Sequence, residues 1–442
     1  MSSLPSDAVP VVVGARRSVG PGVPEEETLT RSGVAAIVVG NAMEFYDFVS
    51  YAYFAVYIGK AFFPSSTEYG SLLASVATFG VGFLTRPLGG FVIGALGDRV
   101  GRKFAMMVTI GLITVGTLGL AATPSYATIG VFGPILVVIS RLLQGLALGG
   151  EVGPSTALLI EGAPKGQRGL YSSWQLGGQG VSAAMAGLLG VALAQLLTPE
   201  QLGDWGWRIP FVVGLLVLPI AIYIRTRLPE TIATGEREHS SGKIFGNLFV
   251  VHRKIMILAI FVVAGGTVST YLGSYMTTYA ITTLKLSSSV ALSATLMVGF
   301  ATLVGALFGG WLSDRRGRKP IMIVPRIITL VTVYPAFQFL VAHPDPVTLL
   351  GVSGFLSLLT AISGTAGITL IPEVLPKAYR CTAIAVTYAL GVAIFGGTTQ
   401  FIVTWLLKET GNPLSPAIYV MIVSVISLIA MFMLPESRGK EQ

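Results

Sequence analysis

Charge is what this chain has least of. Asp, Glu, Lys and Arg together make up 11% of its 442 residues, where a soluble domain carries about a quarter. A surface so poor in charge cannot face water on every side. Cysteine occurs once, at Cys381, so neither an internal disulfide nor a multi-cysteine metal site can form. The three histidines, His239, His252 and His343, fall in connections between apolar runs, which leaves no imidazole relay inside those runs. HExxH is absent, and the GARR stretch near residue 14 lacks the spacing of a phosphate-cradling loop. The expectation is a protein that is not an enzyme, with no metal, no cofactor and no nucleic-acid partner.

Apolar residues supply what charge does not. They make up 52% of the chain, mean hydropathy is +0.75, and the 54 glycines suit close packing of membrane helices. A helix needs roughly 20 mostly apolar residues to cross the hydrocarbon of a bilayer. Segments that meet this test fall near 34–59, 70–96, 105–123, 130–152, 170–197 and 208–226, and then near 255–282, 288–312, 320–341, 347–371, 381–407 and 413–434. The fold class expected is all-α and integral to the membrane, with twelve spans in two six-helix bundles. The segments divide into a polar tail (1–32), a first bundle (33–226), a linker (227–253), a second bundle (254–435) and a short tail (436–442). The first tail carries Glu25, Glu26 and Glu27 and has no apolar core of a signal peptide.

The net charge of +8 is spread among short connections, a pattern of membrane topology rather than nucleic-acid binding. Placing both termini and the even-numbered loops on one side gathers 22 of the 29 Lys and Arg there, against Lys60, Arg208, Lys285 and Lys408 opposite. The positive-inside rule then puts both termini in the cytoplasm. Arg86, Arg141 and Arg326 remain inside spans.

The chain also contains its own duplicate. GALGDRVGRK (94–103) joins spans two and three, and GWLSDRRGRK (310–319) joins spans eight and nine. Glu161, Pro164, Lys165 and Arg168 precede span five with the spacing of Glu373, Pro376, Lys377 and Arg380 before span eleven. Two matches at nearly one offset indicate a doubled six-helix unit. These loops within a 6+6 plan resemble the major facilitator superfamily over residues 32–437. NAMEFYDF (41–48), FLTRPLGG (83–90), RLLQGLALGGE (141–151) and WGWRIPF (205–211) are similar to the metabolite:proton symporter family, whose members carry citrate, 2-oxoglutarate, shikimate, dicarboxylates or betaines. YSSWQ (171–175), YIGKAFFP (57–64) and AIFGG (393–397) look most like its proton-linked citrate branch. The resemblance implies alternating access to a midplane site between the halves, in a bacterial inner membrane, by a monomer.

Ionisable groups within spans are expensive and point to function. Asn41, Glu44, Asp47 and Tyr51 share one face of span one. Burial and repulsion disfavour two charges a turn apart, so Glu44 or Asp47 is expected to take up the coupled proton, with Glu151 a further candidate. Arg86, Arg141 and Gln144, with Gln175 and Gln179 on span five and Tyr51 and Tyr275 on spans one and seven, are the candidate ligands of an organic anion. Arginine suits a carboxylate because its fork binds both oxygens. Glu44, Asp47 and Glu151 balance Arg86, Arg141 and Arg326, so protonation would leave a cavity that favours an anion. A structural ion-pair network is the alternative. Arg326, within two turns of the cytoplasm, is expected to snorkel.

Asp98, Arg99, Arg102, Glu161 and Arg168, with Asp314, Arg315, Arg318, Glu373 and Arg380, are candidate gates that hold one side closed in one state. Their alternative is a purely topological role facing anionic lipid. A zwitterion such as a betaine also suits balanced charges, and an exchanger or facilitator could use the same gates.

Overall fold

The computed structural model describes residues 31–100, 102–149, 155–156, 159–160, 162–216, 219, 252–375 and 380–437. They are helical throughout, with no strand among the described residues. Nine of their helices are long and apolar enough to cross a membrane, and the remaining crossings are shorter or interrupted. The length of apolar runs indicated the spans but treated interrupted helices as continuous ones.

The first crossing runs Arg31–Tyr53, breaks at Phe54 and resumes as Ala55–Phe62. The second runs Glu68–Leu84 and, past Thr85, Arg86–Val100. Pro87 explains that break, since it has no amide to offer the carbonyl one turn back. Thr85 turns its hydroxyl to the carbonyl of Leu142 in the fourth span, at 2.9 Å. The third, fourth and fifth spans are Arg102–Ala122, Phe132–Gly149 and Arg168–Leu196. Spans seven to ten are Arg253–Thr282, Ser288–Arg316, Arg318–Ala342 and Pro346–Glu373. The eleventh consists of Arg380–Gly391, a wide π turn at Val392–Gly396, and Gly397–Thr410. Ser415–Met433 is the twelfth.

Large apolar side chains such as Leu84, Phe91, Leu188, Leu216, Val331 and Val347 stand exposed around the bundle, where hydrocarbon rather than water is their solvent. Glycine sets the spacing inside. A Cβ at Gly149 would land on the carbonyl of Arg86, and one at Gly145 on that of Gly82. The fourth span therefore lies backbone to backbone against the second, at the level of both arginines. The two halves meet in the same manner along spans five and eight, where a Cβ at Gly180 would sit 2.6 Å from the amide of Leu303.

Candidate functional site

Asp47 is 3% exposed and anchors a chain of side chains with one hydrogen-bond direction. The Thr117 hydroxyl donates to Asp47 Oδ2 at 2.6 Å, Gln144 Nε2 donates to Thr117 Oγ1 at 3.0 Å, and Arg141 Nη1 donates to Gln144 Oε1 at 2.8 Å. Spans one, three and four are joined by this relay. Span six completes the enclosure with Gly214, where any side chain would strike Asp47 Oδ1. Oδ1 accepts no hydrogen bond among the described residues. It is the place in this network where a proton can be added without breaking a bond.

Both arginines lie in an aromatic box. The Arg141 guanidinium stands 4.3 Å from the ring of Phe48, 4.6 Å from Tyr51 and 5.1 Å from Phe79. That of Arg86 stands 4.4 Å from Phe48 and 4.3 Å from Phe83. Cation–π attraction holds each charge without using its hydrogen-bond donors. The donors left over are informative: Nε and Nη2 of both residues have no partner among the described residues. These two atoms form one edge of the guanidinium, the edge that grips a carboxylate with two parallel bonds.

The second half reaches this box through Tyr271, whose ring meets Phe83 at 5.2 Å and Phe79 at 5.9 Å and which lies within the field of Arg86. Tyr388 on span eleven also faces Arg86, and Gln179 Nε2 approaches its hydroxyl at 3.5 Å. Gly396 and Gly397, at the π turn of span eleven, fit against Phe83. Arg141 and Gln144 are thus linked to Asp47, Tyr51 and Arg86 share the aromatic box, and Gln179 adjoins it through Tyr388. Gln175 and Tyr275 are placed differently. Gln175 donates to Asn41 Oδ1 at 3.2 Å while Asn41 Nδ2 donates to its carbonyl at 2.9 Å, which pins span five to span one. Tyr275, one turn beyond Tyr271, accepts from the Thr404 hydroxyl at 2.8 Å within its own half.

Thr117, Gly214, Tyr271 and Tyr388 belong to the site, although the sequence offered little to single them out. A threonine, a glycine or a tyrosine in an apolar span carries no signal of its own. Glu151 and Glu161 lie outside the described residues, as do the side chains of Glu44, Asp98, Arg99, Arg102 and Arg380.

Arg326 departs from expectation. It is 1% exposed and does not snorkel. Its Nη1 donates to the Gly265 carbonyl at 2.9 Å and the Ser269 hydroxyl at 2.7 Å, inside the second half and apart from the Arg86–Arg141 box. The acceptors on span seven hold the side chain inward. It therefore leaves the charge balance expected around Asp47.

At one end of the bundle Asp314 crosses between halves. Its carboxylate accepts from the amides of Gly169 at 2.8 Å and Leu170 at 2.9 Å, the first turn of span five, which Arg168 opens. A helix N-terminus is a natural seat for a carboxylate. Arg318 donates to Asp314 at 2.6 Å and grips Glu373 with bonds of 3.1 and 3.0 Å. Arg318 is thus the charged partner of Glu373 among the described residues. Arg315 stacks on Trp311 at 4.1 Å instead of joining this cluster. Glu436, from the stretch the sequence suggested was tail, accepts from the amides of Arg318 and Lys319 at 3.0 and 2.8 Å. Gly317, at φ 100°, makes that turn. The neighbouring Ser437 hydroxyl donates to Glu373 at 2.6 Å. At the opposite end the Tyr57 hydroxyl donates to Ser288 Oγ at 2.6 Å, again between halves.

Two cavities between described residues measure about 20 Å³ and 10 Å³.

Comparison with known proteins agrees with this architecture. A family model described as "Sugar (and other) transporter" matches residues 33–243, and one described as "Major Facilitator Superfamily" matches residues 294–442. The citrate-proton symporter of Klebsiella pneumoniae is 36% identical over 400 residues, covering 90% of both chains. The chain belongs to the major facilitator superfamily. Other relatives within that superfamily differ in cargo. The alpha-ketoglutarate permease of Escherichia coli K12 is 31% identical over 93% of this chain and 95% of its own. The proline/betaine transporter of the same organism is 31% identical over 93% of this chain and 84% of its own. Among solved structures, a partially occluded inward-open xylose transporter from E. coli superposes with a TM-score of 0.74 at 18% identity, covering 92% of this chain and 98% of that one. That likeness concerns the superfamily fold alone.

Proposed function

We propose that this protein is a proton-coupled symporter of a small organic acid with two or more carboxylates, of the citrate class. The observation that carries the reading is the pair of open guanidinium edges on Arg86 and Arg141, within one aromatic box and joined to a buried carboxylate. Two edges match two carboxylates. The 36% identity to a citrate-proton symporter supports the same class.

The coupling follows from Asp47. While it is ionised it attracts Arg141, and the relay through Thr117 and Gln144 holds the guanidinium. Addition of a proton at Oδ1 removes that attraction and leaves Arg141 with uncompensated charge, which a substrate carboxylate then balances. Proton and acid become each other's condition for binding. Glu44 and Glu151 remain candidates for a share of this proton traffic. Gln179, Tyr51, Tyr271 and Tyr388 supply hydroxyl and amide contacts. Asp314, Arg318 and Glu373 latch one end and Tyr57 with Ser288 the other, so that release of one latch at a time gives alternating access. The excess of Lys and Arg at the Asp314 end supports reading that end, and both termini, as cytoplasmic.

A betaine offers one carboxylate and a quaternary ammonium, for which an aromatic box is the usual receptor. Here the rings are already occupied by the two guanidiniums, which favours the polycarboxylate. Uptake of labelled citrate, 2-oxoglutarate, a C4-dicarboxylate, shikimate and glycine betaine into proteoliposomes, with and without an inward proton gradient, tests the reading. Gradient-dependent uptake of an acid is the expected result. Uptake of betaine alone would overturn the anion, and uptake indifferent to the gradient would overturn the coupling.

A further inference from the structure

The larger cavity, of about 20 Å³, lies among spans seven, nine, ten and twelve, wholly within the second half, and the transport scheme above does not use it. Its wall is unusual for a membrane bundle, because Ser269, Thr329, Ser353, Ser357 and Thr360 all line it. Three of these hydroxyls have already given their hydrogens to carbonyls of their own helices. Ser269 donates to Gly265 at 2.9 Å, Thr329 to Pro325 at 2.9 Å and Thr360 to Leu356 at 2.8 Å. Such an oxygen has only lone pairs left to offer. The serines of span ten differ. Ser353 is 1% exposed and its hydroxyl has no partner among the described residues. The Ser357 oxygen is turned toward Gly273, another residue of the wall, 3.2 Å from where a Cβ there would stand.

We propose that this cavity is a binding site for one ordered water molecule, which ties span ten to spans seven and nine. Its volume exceeds the roughly 10–15 Å³ that one water requires, and the wall offers more than the two to four polar partners a buried water needs. The occupant has to donate toward the spent hydroxyls and accept from the serines, which water does. An anion does not fit this wall, since three of the hydrogens it would draw on are committed. A cation does not fit either. No carboxylate lines the cavity, and Arg326 brings positive charge to its edge by donating to Ser269 at 2.7 Å. Ser269 therefore has two tasks, as acceptor for the buried arginine and as a wall of the water site. Through it the water extends the Arg326 network across to span ten. This inference is independent of the cargo and of the proton coupling.

The test uses the purified full chain in nanodiscs and pulsed X-ray radiolysis, which turns bound water into hydroxyl radicals that oxidise what they touch. Met276 lines the cavity, whereas Met322, equally buried, does not. Met276 is expected to be oxidised about tenfold faster than Met322, and Ser353→Val, which fills the space, should bring the two rates together. A second measurement reads the sign of a stability change. With water present, Ser353→Ala removes one of its partners and should lower the unfolding midpoint by about 1–3 °C. In a dry cavity the same change removes an unpaired buried hydroxyl and raises the midpoint. Equal oxidation of Met276 and Met322 in wild type would overturn the proposal, as would a raised midpoint in Ser353→Ala. So would a wild-type midpoint that climbs saturably when sodium replaces choline and loses that response in Ser353→Ala, which would put a cation in the site instead.

Discussion

The two halves share one helical plan but bury different charges in it: Asp47 with Arg86 and Arg141 in the first, Arg326 without an acid beside it among the described residues in the second. In the first half, spans one, three, four and six enclose Asp47, which is tied through Thr117 and Gln144 to Arg141. In the second half spans seven, nine and twelve enclose Arg326, set against Ser269, Ser427 and the Gly265 carbonyl. Even the small-residue contact is exchanged. Gly214 on span six makes room for Asp47 from span one, whereas Gly265 on span seven makes room for Ser427 from span twelve. A fold that forms equally well around an acid and around a base requires neither. The buried charges are therefore explained by what each half does, and the glycines by what the charges need. The end latches are just as uneven, because Asp314 of the second half clasps the backbone of the first with charge-assisted bonds and Tyr57 closes the other end with a neutral one.

The sharpest way to break this comparison is to neutralise the acidic core. Asp47→Asn keeps the Thr117 contact and removes the titratable group. Accumulation of citrate against its gradient in proteoliposomes should vanish, while exchange between equal concentrations persists. Uphill accumulation by this variant would mean that Asp47 carries no proton. Next comes Arg141→Lys, which retains charge but loses the two-pronged edge. Charged hydrogen bonds contribute about 1.5–3 kcal/mol, so KM for the acid should rise roughly 10- to 100-fold, with Arg315→Ala close to wild type in the same assay.

At the latch, Asp314→Asn weakens the bonds to Gly169, Leu170 and Arg318. Thiol labelling of a cysteine placed behind it, with Cys381 replaced, should accelerate about tenfold as that end opens, since roughly 1.4 kcal/mol corresponds to a factor of ten. Unchanged labelling would make the cluster structural. Gly214→Ala sharpens the exchange of small residues. Its methyl group meets Asp47 Oδ1, and overpacking of this kind costs about 1–3 kcal/mol, visible as a lower unfolding midpoint than that of Gly203→Ala, where nothing is in reach. The smallest effect belongs to Tyr57→Phe. One neutral hydrogen bond contributes about 0.5–1.5 kcal/mol, so labelling from that end should change only about two- to tenfold.

Much of this molecule is legible in its sequence. Length and apolarity of the runs, the pull of Lys and Arg to one set of loops, and the repeated Asp-Arg and Glu-Pro-Lys motifs give twelve spans in two halves before any coordinate is known. Arg86, Arg141, Gln144 and Asp47 also announce themselves, because charge and amide groups are costly in hydrocarbon and rare in these runs. Periodicity alone, however, assigned Gln175 and Tyr275 to the same site. A helical stripe fixes which residues share a face, but not what that face meets. Gln175 meets Asn41, and Tyr275 meets Thr404.

Sequence by itself determined the membrane, the duplication and the inventory of buried charge, since all three follow from composition and order along the chain. The tertiary structure decided the partners. Thr117 lies 70 residues from Asp47 and Glu373 lies 55 from Arg318, and such pairs arise from packing between helices rather than from any local pattern. It also decided that Arg326 turns inward. Whether a long cationic side chain reaches water or stays buried depends on the acceptors its neighbours offer, and here those are the Gly265 carbonyl and the Ser269 hydroxyl on another helix.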